Sequence, residues 1–550
     1  MVPPLAGRRL GAPGTPAPRT PAPGTPAAGT QAPGTPAPGT LAASFVRHWS
    51  ESPGAAALTD AADGRALTGG ELEAASRHVA GELLAHGLEP GDRVLCSPGD
   101  PLSFAVTVVA ALRAGLVLVP ANPELTFPEL RHVIEEARPA ACAADDPSFR
   151  SLVAQIDDAV PLLEPGAAFG RWSASRTSGS PAGATREGAS TGERELDASA
   201  PSDPAMVLFT SGTTGKPKGA VHTHASLLAN AESLRVAWRW TPEDRLVHTL
   251  PMFHAHGLCV GLLGTLNAGA SAVLLPRFGV AEVLEACVRH EATLWFGVPT
   301  MYHRIHASGR VGELARLRLA VSGSAALPAA LHTAIAEATG MAILERYGTT
   351  ETLMSLSNPY DGERRAGTVG FPLPGVEIRL LQSGELLVRG PAVFAGYLGR
   401  PEASKEAFDG DWYRTGDVAS VGDDGYVRIL GRTKELVISG GFNVYPAEVE
   451  TVLAEHPGVA EVAVTGTPSD EWGEIVTAWI VPAPSAGGLM SEGLPSKDLT
   501  SEITAFAAAR LAPYKRPRLV HLVESLPRNV LGKIVRHQLD AEHVSGRGEA

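Results

Sequence analysis

The chain has 550 residues, more than one ordinary hydrophobic core accommodates, so we expect at least two domains. Its apolar fraction of 44% is that of a soluble globular protein, and its formal net charge of −13 argues against a general binder of nucleic acid or anionic membranes. The four cysteines form no C-x-x-C pair, which indicates a reducing compartment and no metal cluster. No apolar run reaches the roughly 18 residues of a membrane-spanning helix, so we predict a cytoplasmic protein.

The first 40 residues are a Pro/Gly/Thr/Ala tract built on a repeated APGTPAPGT unit. Such a tract buries too little apolar surface to offset the entropy of ordering it, so we predict a disordered tail over 1–40. It has no apolar segment of the secretory kind. A transit peptide stays open because the tract carries arginines and no acidic residue, although its prolines disfavour the amphipathic helix of such peptides.

From residue 41 the chain alternates apolar strands with helices of 10–15 residues. Before residue 170 we expect helices at 72–86, 104–113 and 127–137 and strands at 92–96 and 117–120. Residues 170–204 are polar and Gly/Ser-rich, which predicts a long flexible insertion. After it we expect helices at 225–236, 258–266 and 280–288 and strands at 246–250, 272–275 and 293–298. This alternation predicts an α/β fold with layered, mostly parallel sheets.

Beyond Gly384 the sequence changes to short strands and turns. We therefore predict a large N-terminal domain over 41–431, a smaller C-terminal domain of α+β type over 432–540, and a frayed tail over 541–550. Residues 534–539 read as either a helix or an extended segment.

Residues 207–219 read VLFTSGTTGKPKG, a short apolar run followed by glycines, hydroxyls and two lysines. Glycines let a backbone approach an anion, and consecutive N–H groups form a concavity that binds one. Lys216 and Lys218 add positive charge, so the segment is suited to the phosphates of a nucleotide. Its spacing differs from the G-x-x-x-x-G-K-[ST] loop, and a flexible surface loop is the structural alternative.

The segment 207–219 resembles the phosphate loop of the adenylate-forming superfamily, which includes acyl-CoA synthetases, luciferases and peptide-synthetase adenylation domains. Four more motifs follow in the order of that family: ERYGTTET at 345–352, YRTGD at 413–417, SGGFNVYPAEVE at 439–450 and LPRNVLGKI at 526–534. Each alone could be an ordinary turn, helix cap or exposed lysine. Together they extend the resemblance over 41–539.

The resemblance implies an acid–CoA ligase that uses ATP, Mg²⁺ and coenzyme A, releases AMP and pyrophosphate, and is a monomer or a homodimer. It implies that Lys533 bridges the substrate carboxylate and the α-phosphate, that Thr350 contacts this phosphate, and that Glu351 and Thr214 hold Mg²⁺. The other implied contacts with the nucleotide or CoA are Thr210, Ser211, Gly212, Thr213, Gly215, Lys216, Lys218, Ser324, Ala325, Tyr347, Gly348, Thr349, Asp417, Arg432, Gly440 and Gly441.

The resemblance also implies a mobile small domain, with Lys434 at the hinge. In the first half-reaction a carboxylate attacks the α-phosphorus. The small domain then turns about Lys434, which replaces Lys533 by the loop of Gly440 and Gly441 for attack by the CoA thiol. No side-chain nucleophile is required, in agreement with the absence of a G-x-S-x-G motif.

Three runs should line the acyl pocket, at 251–257, 296–304 and 322–327. A fatty acyl chain would favour an apolar tunnel, but these runs and their neighbours are partly polar. The substrate-binding candidates are His254, His256, Arg277, Met301 and Arg304. A buried arginine can hold a second carboxylate with two hydrogen bonds, which predicts a short dicarboxylic acid. The strings FGVPTMYHRI and VSGSAALP resemble malonyl-CoA synthetases, so we predict malonate or methylmalonate as the acid.

Three alternatives stay open from the sequence. An acyl-CoA ligase for a short or medium monocarboxylic acid would have the same fold, and an apolar environment at Arg277 and Arg304 would favour it. A stand-alone amino-acid adenylation enzyme would usually place an aspartate in the pocket, and none is evident there. A non-catalytic module on the same fold is disfavoured by the presence of Lys216, Glu351 and Lys533.

Overall fold

The computed structural model describes residues 39–177, 196–210, 217–439, 442–469, 472–483, 497–528 and 534–539. The predicted tails, up to residue 38 and from residue 541, lie outside these ranges. The first described element is the helix Leu41–Glu51. Thr40 caps it, since the Thr40 hydroxyl accepts a hydrogen bond of 3.2 Å from the backbone N–H of Ala43.

Two mixed sheets with parallel centres form most of the large domain. Among the described residues, the first sheet has nine strands in the order Phe371–Pro372, Leu356–Ser357, Leu344–Tyr347, Leu319–Ser322, Leu294–Gly297, Arg245–His248, Ser271–Leu274, Ala56–Asp60 and Ala66–Thr68. The second has seven described strands in the order Gly396–Tyr397, Lys218–Thr223, Pro204–Thr210, Val117–Pro120, Arg93–Ser97, Ala141–Ala144 and Leu162–Leu163. The central strands of both sheets are parallel, whereas antiparallel strands lie at both edges of the first sheet and at one edge of the second, which confirms the predicted α/β fold.

Helices cover these sheets, and Pro101–Arg113 is buried along its whole length. Two features stabilise its first turn. Pro101 occupies a position whose N–H would have no partner within the helix, and the Asp100 carboxylate accepts a hydrogen bond of 2.8 Å from the backbone N–H of Ser103. The other α-helices of this domain are Gly69–Ala85, Phe127–Ala137, Pro147–Ile156, Pro165–Thr177, His224–Ala237, Gly264–Asn267, Val280–Arg289, Pro299–Ala307, Ala329–Thr339 and Pro401–Glu406. Within the described ranges, no helix combines the length and the apolar character needed to cross a membrane.

The third and fourth sheets are built mainly from antiparallel strands. The third contains Glu377–Leu380, Glu385–Arg389, Trp412–Val421, Phe408–Asp409 and Val427–Arg432. The fourth contains Phe442–Val444, Val437–Ser439, Gly473–Pro482, Val459–Ser469 and Leu519–Leu522, and the helices Pro446–Leu453 and Lys497–Arg510 accompany it. The chain passes from the third sheet to the fourth through one 3₁₀ turn, Thr433–Glu435, next to the predicted domain boundary at 432. Other 3₁₀ turns are Val311–Arg316, Pro513–Lys515 and Arg536–Gln538.

Most predicted elements agree with the observed ones to within a few residues. The strand Val117–Pro120 and the helix Phe127–Ala137 have the predicted bounds. The helix predicted over 258–266 differs, since His256–Leu263 is π-helical and continues as the short α-helix Gly264–Asn267. This helix packs closely on His248, because a Cβ at Gly261 would lie 2.5 Å from Cε1 of that ring. Widened turns of this kind are frequent at functional sites.

The insertion predicted over 170–204 is shorter than predicted. The helix Pro165–Thr177 extends into it, and the stacked rings of Phe169 and Trp172 are buried in the core. On its other side, Asp197 accepts hydrogen bonds from the buried Arg113 guanidinium at 3.0–3.2 Å. Two aromatic rings and one ion pair therefore anchor the segment at its two ends. The polar composition of the segment gave no indication of these contacts. Residues 178–195 lie outside the described residues.

Candidate active site

Three adjacent strands of the nine-stranded sheet end at the same edge of that sheet, and predicted site residues follow each of them. The strand Leu319–Ser322 pairs in parallel with Leu294–Gly297 on one side and with Leu344–Tyr347 on the other. Because the carboxyl ends of parallel strands share one edge of a sheet, the loops that follow them start side by side. The runs at 296–304, 322–327 and 345–352, which are distant in sequence, are thereby brought together.

Tyr347 and Arg432 meet at the carboxylate of Asp417. The Tyr347 hydroxyl donates to Oδ2 of Asp417 at 2.5 Å, and Nε of Arg432 lies 3.1 Å from Oδ1. The backbone N–H of Asp417 donates to the Thr415 hydroxyl at 3.0 Å, so the carboxylate is held firmly. Burial and the neighbouring Asp417 charge raise the pKa of Tyr347 well above its ordinary value, so the phenol stays protonated and donates. An oriented, buried carboxylate is a suitable acceptor for the hydroxyls of a ribose.

The loop after Tyr347 is held by a close approach and by a histidine. A Cβ at Gly348 would lie 1.7 Å from the carbonyl oxygen of Leu353, so only glycine fits there. The ring of His222 contacts the carbonyl oxygen of Thr350 through Nε2 at 2.8 Å. Burial lowers the pKa of His222 to about 4, so the ring is neutral at neutral pH and Nε2 carries the donated proton. The next residue in this loop is Glu351.

Glu351 is almost completely buried, and its carboxylate has a defined orientation. The Tyr397 hydroxyl donates to its Oε1 at 2.9 Å, and the backbone N–H of Phe394 donates to its carbonyl oxygen at 2.8 Å. The described residues contain no cluster of three or more His, Cys, Asp or Glu that could hold a metal by itself. One carboxylate is nevertheless what Mg²⁺ uses when phosphate oxygens and water supply its other ligands. Glu351 therefore fits the predicted role in binding Mg·ATP.

Only the two ends of the phosphate loop lie within the described residues. Thr210 ends the strand Pro204–Thr210, and it is the register partner of Lys218 in the next strand. The Lys218 ammonium lies 4.8 Å from the centre of the Tyr397 ring. The predicted site residues outside the described ranges are Ser211, Gly212, Thr213, Thr214, Gly215, Lys216, Gly440, Gly441 and Lys533. Their roles stay predictions.

The remaining residues predicted to contact the nucleotide lie at the same edge of the sheet, and the predicted hinge residue lies at the domain boundary. Ser324 has a positive φ of 70° and its hydroxyl lies 3.4 Å from Nδ1 of His256, while the neighbouring Ala325 is exposed. Thr349 donates from its backbone N–H to the Thr352 hydroxyl at 3.2 Å. Lys434 is exposed in the turn Thr433–Glu435, and its role as a hinge stays a prediction.

The same edge of the sheet contains a buried arginine, Arg346, that was not among the predicted substrate-binding residues. The side chain of Arg346 is 4% exposed, and its Nε and Nη2 have no hydrogen-bond acceptor among the described residues. Gly323 makes room for it, since a Cβ there would lie 2.2 Å from Cζ of Arg346. Burial lowers the pKa of Arg346 to about 9, which still leaves it charged at neutral pH. A buried charge with open donors fits an anionic ligand.

Glu345 lies next to Arg346 in the chain but does not pair with it. Its Oε1 accepts from the N–H of Leu327 at 2.9 Å, whereas Oε2 has no hydrogen-bond partner among the described residues. Burial raises the pKa of Glu345 to about 8, so this carboxyl group is largely neutral at pH 7. Glu345 opposes the effect of burial on the pKa of Arg346, but no ion pair joins the two side chains among the described residues.

His256 is also buried, and its Nδ1 lies 3.4 Å from the hydroxyl of Ser324, the residue after the glycine that makes room for Arg346. Burial lowers the pKa of His256 well below its ordinary value, and the Arg346 and His248 charges add to this effect. The neutral ring stacks on Phe296, with the two ring centres 6.5 Å apart. His254 is half-buried next to Phe253, and Met301 is half-buried against the core. These residues are near enough to the edge to shape an acyl pocket.

Arg277 and Arg304 do not meet the expectation of a buried guanidinium in the pocket. Both side chains are exposed, and the Arg304 guanidinium lies 5.1 Å from the centre of the Phe278 ring. Their positions beside the pocket runs suggested burial, but the helix Pro299–Ala307 turns Arg304 outward while Tyr302 and Ile305 face the core. The only sequence signal for Arg346 was its place in a short strand that leads into the nucleotide motif, where a charged side chain needs a partner if the strand is buried.

Family comparison agrees with this geometry. Residues 45–398 match the family model described as AMP-binding enzyme, and residues 448–533 match the model of the AMP-binding enzyme C-terminal domain. The chain belongs to the AMP-binding enzyme family. It is an AMP-forming acid–CoA ligase that resembles malonyl-CoA synthetases, and its substrates include ATP and CoA. This confirms the predicted superfamily and reaction type.

Individual relatives of the ligase differ in the acid that their names give. A malonate–CoA ligase of Arabidopsis thaliana is 40% identical over 367 residues, which cover 61% of this chain and 60% of the relative. A feruloyl-CoA synthase of Amycolatopsis is 35% identical over 519 residues, which cover 90% of this chain and 97% of the relative. ATP-bound MatB from Rhodopseudomonas palustris is 37% identical with a TM-score of 0.79, covering 90% of this chain and 97% of that structure.

Proposed function

We propose that the ligase activates a short dicarboxylic acid, malonate or methylmalonate, and transfers the acyl group to CoA. The observation that carries the proposal is the buried Arg346 guanidinium, whose Nε and Nη2 have no protein acceptor among the described residues. An unpaired buried charge is costly, whereas a carboxylate can accept two parallel hydrogen bonds from a guanidinium. A substrate with a second carboxylate would supply that acceptor.

Relatives alone do not decide between acids, because similar identities accompany a malonate–CoA ligase and a feruloyl-CoA synthase. The neutral, buried His256 beside Arg346 adds a second polar group with a hydrogen-bonding ring nitrogen, Nε2, that has no partner among the described residues. Two such groups close to one another favour a compact acid with a polar end over a long acyl chain. Arg346 and His256 thus take the place of Arg277 and Arg304 as the residues proposed to bind the polar end of the acid.

In the proposed first half-reaction one carboxylate of the acid attacks the α-phosphorus of ATP. Arg346 would hold the other carboxylate and thereby orient the attacking one. Lys533 and Thr350 would stabilise charge on the α-phosphate, and Asp417 would hold the ribose. Glu351 and Thr214 would hold Mg²⁺, which when bound withdraws charge from the leaving pyrophosphate.

In the second half-reaction the CoA thiol attacks the acyl-adenylate and AMP leaves. The small domain would turn about Lys434, which removes Lys533 and brings in the loop of Gly440 and Gly441. The described cysteines are all buried, in accordance with a reaction that uses no protein nucleophile. The substrate CoA provides the thiol.

The test is ATP- and CoA-dependent AMP release with malonate, methylmalonate, succinate, acetate, octanoate, benzoate and ferulate. The Arg346→Met variant would run beside it, with Arg304→Ala as the exposed-arginine control. We expect malonate or methylmalonate to be preferred, Arg346→Met to lose about 100-fold or more in kcat/KM for that acid, and Arg304→Ala to stay near wild type. The folded state of each variant is checked by thermal unfolding.

A monocarboxylic acid as the preferred substrate, with no dependence on Arg346, would contradict the dicarboxylate proposal. The ligase reaction itself would stand, and ferulate or octanoate would then identify the alternative class. Loss of the preference in Arg304→Ala but not in Arg346→Met would instead restore the role first predicted for Arg304.

A further inference from the structure

The segment 394–398 forms the outer edge of the seven-stranded sheet, beside the strand that leaves the phosphate loop. Its strand Gly396–Tyr397 is antiparallel to Lys218–Thr223, with Tyr397 opposite Ala220. The N–H of Leu398 donates to the carbonyl oxygen of Gly219 at 2.8 Å, and that of Ala395 donates to Val221 at 2.8 Å. This segment is therefore attached by its backbone to the phosphate-loop side of the site.

The same segment also holds Glu351, by both backbone and side chain. The N–H of Phe394 donates to the Glu351 carbonyl oxygen at 2.8 Å, and the Tyr397 hydroxyl donates to Oε1 at 2.9 Å. The two contacts differ in kind: the first locates the residue, and the second orients the carboxylate. A hydrogen bond at Oε1 leaves Oε2 outside this interaction.

The Tyr397 ring is itself held in place. Phe394 packs edge-on against it with ring centres 4.9 Å apart, and Phe394 also contacts Phe408 and Tyr413. On another side the Lys218 ammonium lies 4.8 Å from the Tyr397 ring centre. A ring fixed by such contacts directs its hydroxyl with little loss of side-chain entropy, since few rotamers remain to be lost.

We propose that Tyr397 is a positioning residue that orients the Glu351 carboxylate for the divalent cation accompanying ATP. A hydrogen bond from a neighbouring residue to a metal-binding group fixes the orientation of that group, and its removal commonly weakens metal binding by about 10- to 100-fold. Tyr397 contacts neither nucleotide nor acid in this role. The inference rests on the proposed metal-binding role of Glu351, so the experiment tests that role in a separate arm.

The decisive variant is Tyr397→Phe, which removes the hydroxyl and keeps the ring that faces Phe394 and Lys218. The matched control is Tyr426→Phe: the Tyr426 hydroxyl also donates to a glutamate residue, the backbone oxygen of Glu363 at 2.7 Å, on the exposed surface. Glu351→Gln is the reference for loss of the carboxylate itself.

Two measurements are made on the full-length protein. The first is Mn²⁺ binding in the presence of a non-hydrolysable ATP analogue, followed by electron paramagnetic resonance, which needs no turnover. The second is the Mg²⁺ concentration for half-maximal ATP–pyrophosphate exchange with malonate, or with the acid that is preferred in the substrate panel. Thermal unfolding confirms that each variant is folded.

We expect Tyr397→Phe to weaken Mn²⁺ binding about 10-fold and to raise the Mg²⁺ requirement by a similar factor. Saturating Mg²⁺ should restore exchange to within about twofold of wild type, because the carboxylate is still present. Tyr426→Phe should match wild type in both measurements. A role in packing alone would not produce a defect that Mg²⁺ restores.

Wild-type Mn²⁺ affinity in Tyr397→Phe, with weakened binding in Glu351→Gln, would overturn the inference and leave Glu351 as a metal ligand. Wild-type affinity in both variants would overturn the metal role of Glu351 and the inference with it. A loss of exchange in Tyr397→Phe that no Mg²⁺ concentration restores, at unchanged Mn²⁺ affinity, would also contradict the inference.

Discussion

The hydroxyl of Tyr347 donates a 2.5 Å hydrogen bond to the carboxylate of Asp417, which lies 70 residues later in the chain. The two residues come from different sheets, and Arg432 contacts the second carboxylate oxygen. Donors on both oxygens leave the carboxylate with one orientation before any nucleotide binds. The pair thus joins two sheets at the predicted nucleotide-binding residues.

Asp417→Asn should weaken ATP binding by about 10- to 100-fold, because an amide is a poorer acceptor for two ribose hydroxyls than a carboxylate. Calorimetric titration with ATP and with 2′-deoxy-ATP measures the effect. If Asp417 binds the ribose, wild type should discriminate between the two nucleotides more strongly than the variant does. Asp424→Asn, at an exposed carboxylate that pairs with Arg365, is the control and should behave as wild type. Equal discrimination in Asp417→Asn and wild type would contradict the assignment.

Gly323→Ala should displace the Arg346 guanidinium. The added Cβ would lie 2.2 Å from Cζ and 2.4 Å from Nε of Arg346, far closer than atoms of that kind pack. We expect the kcat/KM for the dicarboxylic acid to fall by more than about 10-fold, with a loss of about 1–3 kcal/mol in stability from overpacking. Gly312→Ala, where the nearest atom would be 3.9 Å away, is the control. Unchanged acid selectivity in Gly323→Ala would show that the guanidinium does not contact the acid.

The stability of the large domain should fall between pH 6.5 and pH 4, in part because of His222. Its pKa is lowered from 6.5 to about 4 by burial, so in this range the unfolded chain binds a proton that the folded state does not. Relative to pH values above 6.5, the protonation of His222 in the unfolded chain should have lowered the free energy of unfolding by about 2 kcal/mol at pH 5, with a further loss down to about pH 4. Urea titration at several pH values, followed by tryptophan fluorescence, measures it.

The matched variant is His222→Gln, which can still donate to the carbonyl oxygen of Thr350 but does not titrate. Its stability should depend less on pH over this range than that of wild type, while His303→Gln at an exposed position should retain the wild-type slope. The same slope in His222→Gln and wild type would mean that His222 does not carry the predicted contribution.

The sequence motifs were informative because their chemistry is local. Residues 207–219 carry glycines, hydroxyls and lysines within one loop, and the spacing 345–352 places Tyr347, Thr350 and Glu351 in one turn. The parallel α/β organisation follows from the same local patterns, with several bounds, such as Val117–Pro120, predicted without error. The periodicity of apolar residues within a short stretch of sequence is enough to predict such helices and strands.

The acid-binding residues were harder to predict because burial of a charged side chain depends on packing between distant segments. Arg304 lies in a run predicted to line the acyl pocket and Arg346 in the nucleotide motif 345–352, yet Arg304 is exposed and Arg346 is buried. The difference is made by Gly323 in the run after the neighbouring strand, whose missing side chain leaves the space that the Arg346 guanidinium occupies. The sequence of residues 345–352 contains no indication that residue 323 leaves this space free.

The amino-acid sequence by itself determined the family, the reaction type and most helices and strands, because these depend on short motifs and on the periodicity of apolar residues. Tertiary structure alone decided which arginine is buried and which residues orient the carboxylates of Glu351 and Asp417. The reason is that strand pairing and close packing bring Tyr397 to Glu351 and Gly323 to Arg346, and these contacts join segments whose separate sequences contain no sign of one another.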